Sequence, residues 1–137
     1  MNPFAADPAF RLEVLVEPPL ALDEASGGPV RIVRISGGTI SGPIAGTIVP
    51  GGTDWQELRA DGSVTIEARY LLQLDDGARI ELQSRGLRNP GASGFWSSIW
   101  LRTADPRHDA LNRAQFVGWG RKTPQCVAID AWVLPER

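Results

Sequence analysis

The chain is short of most residues from which ready-made chemistry is built. Cys126 is its only cysteine, which excludes an internal disulfide framework. His108 is its only histidine, and neither H-E-x-x-H nor C-x-x-C occurs, so no metal is expected. Neither sign of charge dominates: 14 basic residues are mixed with 16 acidic ones, leaving no electrostatic footprint for nucleic acid. No apolar run approaches the length of a membrane span. The opening "MNPFAADPAF" also lacks the basic and apolar regions of a signal peptide. These absences lead us to expect a cytoplasmic protein with no membrane or nucleic-acid partner.

Glycine and proline, by contrast, are plentiful, at 15 and 11 of 137 residues. With 42% hydrophobic and 22% charged residues, the chain has the make-up of one globular domain, 1–137. The segment 1–9 reads as an N-terminal arm. Alternating runs then follow one another: "FRLEVLVE" (10–17), "VRIVRIS" (30–36) and, after a turn at Gly37-Gly38, "TISGPIAGTIV" (39–49). Residues 21–29 read as a loop between the first two. Ile40, Gly42, Ile44, Gly46 and Ile48 recur at period two, with glycines that invite coiling as at a barrel corner.

The chain breaks at Pro50-Gly51-Gly52 and at once presents Asp54 beside Trp55. "VTIEARYLLQL" (64–74) and "ARIELQSRG" (78–86) flank Asp75-Asp76-Gly77, the clearest hairpin signal present. "FWSSIWLRT" (95–103), "QFVGWG" (115–120) and "CVAIDAWVL" (126–134) complete eight strands. Between them "ADPRHDALNRA" (104–114) has Asp105 as N-cap and Pro106 at the first helical position, which predicts a short helix. The pattern predicts an all-β fold: a single antiparallel eight-stranded barrel, closed so that no strand edge is exposed.

The blocks "VPGGTDWQ", "RADGS", "EARYLLQLDDGARIEL", "LRT" and "LNRAQFVGWG" resemble a bacterial family known only as a domain of unknown function, DUF3237, with UPF0311-like members. The resemblance runs roughly from Arg31 to Val133. It rests on Gly51, Gly52, Asp54, Trp55, Arg69, Tyr70, Asp76, Gly77, Leu111, Asn112, Phe116, Val117 and Gly118. It implies a small barrel of the calycin or allene-oxide-cyclase kind, homo-oligomeric, with no assigned activity.

Several chemistries can be set aside. Ser41 sits in G-x-x-S-G inside a strand rather than in the G-x-S-x-G of a nucleophile elbow. No helix follows the glycines of 37–46, so they do not cradle phosphate. Cys126 reads as a small strand residue. What remains is polar groups among apolar ones. Val64, Ile66, Ala68 and Tyr70 share one face of their strand, and Thr65, Glu67, Arg69 and Leu71 the other. Sequence alone leaves open which face lines the lumen. Glu67, Arg69, Glu81 and Arg85 are either a solvated outer face with weak ion pairs or the polar lining of a pocket.

Asp54 is either a turn carboxylate capping free N–H groups after the glycines, or an acid at the barrel mouth kept dry by Trp55. In the second case it suits proton transfer next to a carbonyl, with Arg34, Arg69 or Tyr70 stabilising the oxyanion. Trp55, Glu67, Glu81, Trp96, Trp100, Asn112, Phe116 and Trp119 are the candidate substrate-binding residues around a small hydrophobic or aromatic ligand. Three functions stay open: a cofactor-independent isomerase, cyclase or lyase, a non-catalytic ligand-binding barrel, and an oligomeric structural protein whose aromatics are interface.

Overall fold

The computed structural model describes residue 4, residues 6–22 and residues 29–135. Residues 1–3 and 5 of the expected arm, 23–28 of the expected loop, and 136–137 lie outside the described residues. Ten strands are present among them: β1 (Phe10–Val16), β2 (Leu20–Leu22), β3 (Val30–Ser41), β4 (Gly46–Ile48) and β5 (Thr53–Leu58) come first. They are followed by β6 (Val64–Leu74), β7 (Arg79–Arg88), β8 (Gly94–Arg102), β9 (Gln115–Lys122) and β10 (Val127–Val133). Every pairing is antiparallel. β1 bonds to both β10 and β3, which closes the sheet.

The ten segments make eight staves. β4 and β5 both lie between β3 and β6, so they are two halves of one stave. β2 likewise continues the line of β1 along β3 past Pro18-Pro19, where the missing proline N–H groups interrupt the ladder. The expected closed eight-stranded barrel is thus present, although two of its staves are divided differently. Gly37-Gly38 is not a turn, because β3 runs straight through it. Leu15 pairs with Gly37 and Val16 with Ile35, a register shift that leaves Ser36 as the extra residue of a bulge. Gly38, at φ +134°, lies so close to the Glu13 carbonyl that any side chain would overlap it. The reversal falls instead at residues 42–45, ahead of β4.

Thr53–Leu58, for which the residue pattern predicts no strand, is a full six-residue strand. Backbone bonds bridge the break before it: Gly51 N–H donates to Ile35 O at 3.1 Å, and Ile35 N–H to Gly52 O at 2.9 Å. The Asp75-Asp76-Gly77 hairpin forms as expected, with Asp76 Oδ1 accepting from Ala78 N–H at 2.9 Å.

One half of the lumen is filled. Phe10, Leu12, Ile40, Leu72, Ile80, Leu82 and Ile99 are fully buried there, and the Phe10 and Phe116 rings meet edge-on at 5.1 Å. Each such side chain contributes about 1.5–3 kcal/mol of burial. The predicted short helix is a 3-10 helix, Pro106–Arg113, capped by Asp105. It follows the end of β8 and sets Leu111 against this filled half. The other end of the barrel is where the staves leave space. No helix among the described residues is long and apolar enough to cross a membrane.

Candidate functional site

Pleating decides which side chains enter the open half. Asp54 of β5 stands between Val33 of β3 and Ala68 of β6, and takes their inward direction. Two residues on, Gln56 also faces inward, between Arg31 and Ile66. Ala68 is small, so the carboxyl is not overfilled by its neighbour. The face carrying Val64, Ile66, Ala68 and Tyr70 is therefore the inner one.

One side-chain hydrogen bond holds Asp54. Gln56 Nε2 donates to its Oδ2 at 2.9 Å, and Arg31 Nη2 donates to Gln56 Oε1 at 2.8 Å, which fixes the amide's orientation. Asp54 Oδ1 is buried with no hydrogen-bond partner, as are Arg31 Nε and the Tyr70 hydroxyl. Such groups each cost about 1–3 kcal/mol, and their concentration in one place marks a position where a ligand can complete them. Asp54 borders two spaces. An outer cavity of about 240 Å³ opens between Arg31, Val33, Ile66 and Phe95. A smaller one of about 40 Å³ lies deeper, beside Tyr70, Ala68 and Ser84.

Burial pushes the Asp54 carboxyl up to a pKa of about 6, against the opposing pull of the Gln56 amide, the Glu67 backbone N–H dipole and the Arg31 charge. The Tyr70 phenol is pushed well above its ordinary value, first by burial and then by the Asp54 charge, so it stays a neutral donor. An acid that exchanges its proton near neutrality, beside a fixed donor in an apolar wall, can perform general acid–base chemistry. Among the described residues no group of three or more His, Cys, Asp or Glu is arranged to hold a metal.

The structure brings together two of the four nominated catalytic residues, Asp54 and Tyr70. Arg34 points outward and pairs with Glu17 at 2.9 Å. Arg69 lies on the outer face with Glu67, where Arg69 and Arg102 clasp Glu81 at 2.8 and 2.7 Å. These bonds pull the Glu81 carboxyl down to about 2. Trp55 is 50% exposed on the opposite side of β5 and cannot dry Asp54; Val33, Ile66 and Phe95 do so instead.

None of the five tryptophans lines either cavity. Trp96 and Trp119 meet at 4.9 Å on the outer wall with their rings tilted by 47°, Trp100 is 44% exposed, and the Trp132 indole donates to Ala6 O at 3.0 Å. Phe116 belongs to the filled half. Asn112 stands at that closed end too, bracketing the Thr103 backbone through Oδ1 at 2.8 Å and Nδ2 at 2.9 Å. Arg31, Gln56 and Ser84 were missed by the sequence reading. The i+2 spacing of Gln56 from Asp54 was a usable signal, whereas the pairing with Arg31 required the register.

A family model described as a protein of unknown function (DUF3237) matches residues 4–134. A UPF0311 protein of Clostridium acetobutylicum is 34% identical, over 91% of this chain and 90% of the relative. A hydroalkoxylation enzyme of Penicillium herquei is 28% identical, over 81% of this chain and 69% of that enzyme. The crystal structure of a β-barrel-like protein from Acinetobacter baumannii superposes with a TM-score of 0.86 at 30% identity, covering 94% of each chain. With its barrel, its hinge and nearly all of its length accounted for, the chain belongs to the DUF3237 family.

Proposed function

We propose that the open half of the barrel is the active site of an acid–base enzyme, an isomerase, cyclase or lyase that works on a small, largely apolar substrate without a cofactor. The observation that carries this reading is Asp54: a buried carboxyl, half unpartnered, facing a cavity and poised to exchange a proton near pH 6. Tyr70 would donate to the substrate oxygen on which charge develops. The hydroalkoxylation enzyme named above supports the class. Addition of an alcohol O–H across a carbon–carbon double bond is redox-neutral: one C–O and one C–H bond form, the O–H and the π bond are lost, and a carboxyl relays the proton. Incubation with alkenyl phenols and enones in deuterated water tests the reading by mass spectrometry. Deuterated product with wild type, and turnover lower by about 10²–10⁴-fold in Asp54→Asn, is expected. Equal turnover in that variant would remove Asp54 from the chemistry.

The outer wall favours a homo-oligomer as a second, compatible proposal. Trp55, Trp96 and Trp100 are 50%, 39% and 44% exposed on the outer faces of β5 and β8. Light scattering should show a multimer, and a monomer would refute it.

A further inference from the structure

The outer cavity carries a charge imbalance that acid–base chemistry at Asp54 leaves unused. Three basic side chains from three different strands line it: Arg31 of β3, Arg88 of β7 and Lys122 of β9. All three stand at the open end of the barrel. Among the described residues none of them forms an ion pair with a carboxylate. The other acid on this rim, Glu17, is engaged by Arg34 at 2.9 Å. Arg31 gives Nη2 to Gln56, yet its Nε is buried without an acceptor.

Beneath this rim the wall changes character. Val16, Val33, Val64, Ile66 and Phe95 form an apolar sleeve, and the Asp54 carboxyl lies within it. Cations at the mouth, hydrocarbon along the wall and a proton donor inside are a polarity gradient, and a ligand matching it has a charged head and an apolar body. We infer that the cavity takes a small amphipathic anion, its carboxylate or comparable oxyanion held at the mouth by Arg31, Arg88 and Lys122, its apolar body reaching inward to Asp54. This rests on the lumen being a substrate pocket and narrows the substrate to one with a negative head group. The planar Arg31 guanidinium is suited to the head group, since one of its N–H groups is buried without an acceptor. A bound anion also opposes ionisation of Asp54, which keeps the acid loaded.

The test is an amide NMR titration of the intact protein with trans-cinnamate and with its uncharged analogue cinnamamide. It is run at about pH 5, roughly a unit below the Asp54 pKa, where most Asp54 retains its proton and the probe carboxylate is largely ionised. Cinnamate should bind roughly ten- to a hundredfold more tightly than cinnamamide. Arg88 and Lys122 are exposed, so Arg88→Met and Lys122→Met do not threaten the fold. The double variant removes two of the three cations and should cut the ratio severalfold, with Arg31 supplying what remains. Equal affinities in wild type, or a ratio unchanged in the double variant, would overturn the inference and leave the pocket standing. No shifts with either compound would overturn the pocket as well. A retained cinnamate preference, with turnover indifferent to Asp54→Asn, would instead sink the acid–base reading alone.

Discussion

Replacing Asp54 by asparagine should make the barrel more stable at neutral pH, and the gain should vanish in acid. The folded carboxyl has a pKa of about 6 against an ordinary value of 3.8. A group whose pKa is raised by folding takes up a proton between those values, so stability is retained below the lower one and lost as pH rises through the upper. A shift of roughly two units corresponds to about 3 kcal/mol, at about 1.4 kcal/mol per unit. The charged and titratable groups facing Asp54 are Arg31 from β3, the Tyr70 phenol from β6, Arg88 from β7, Lys122 from β9, and Glu17 just beyond β1. All of them persist in the variant, so the difference between the two proteins isolates the carboxyl. Urea denaturation reads it directly. With an m-value of about 1–3 kcal/mol/M, the midpoints should separate by about 1–3 M near pH 8 and converge near pH 4. A separation that stays constant across that range would refute the claim that burial raises this carboxyl's pKa.

Three further outcomes follow from the same geometry. Tyr70→Phe removes a hydroxyl that has no partner, so thermal denaturation should show a change within about 1 kcal/mol, while turnover falls about a hundredfold or more. Gln56→Leu removes the bond that favours ionised Asp54, so a carbon-13 titration of labelled carboxyls should place Asp54 above pH 6. Gly52→Ala sets a methyl against Tyr70 Cβ and the Arg69 carbonyl, and should cost about 1–3 kcal/mol in chemical denaturation.

Much of the fold could be read from the residues because strand pattern is local. Period-two alternation identified most staves, and the Asp76-Gly77 turn identified its hairpin, since both depend on neighbours in the chain. The two division errors have one cause: a glycine pair reads alike as a turn or as a close approach within a continuing stave. At Gly37-Gly38 the strand runs on, with Gly38 against the Glu13 backbone and the bulge falling at Ser36, and Gly51-Gly52 broke a stave without ending it. The tryptophans misled for a related reason. Large aromatic residues suggest a pocket, but Trp96 and Trp119 pair across strands on the outer wall. Only the inward or outward phase of each strand distinguishes the two.

The sequence by itself determined that Asp54 would follow a glycine hinge on a small β-barrel, and that Tyr70 would share a strand face with Ile66 and Ala68. The tertiary structure decided that this face looks inward, that Arg69 and Glu81 look out, and that Gln56 and Arg31 hold the carboxyl. The division has a physical origin. Alternation along a strand is set by backbone pleating within a few residues, whereas phase and cross-strand partners are set when distant strands meet and the apolar face is buried.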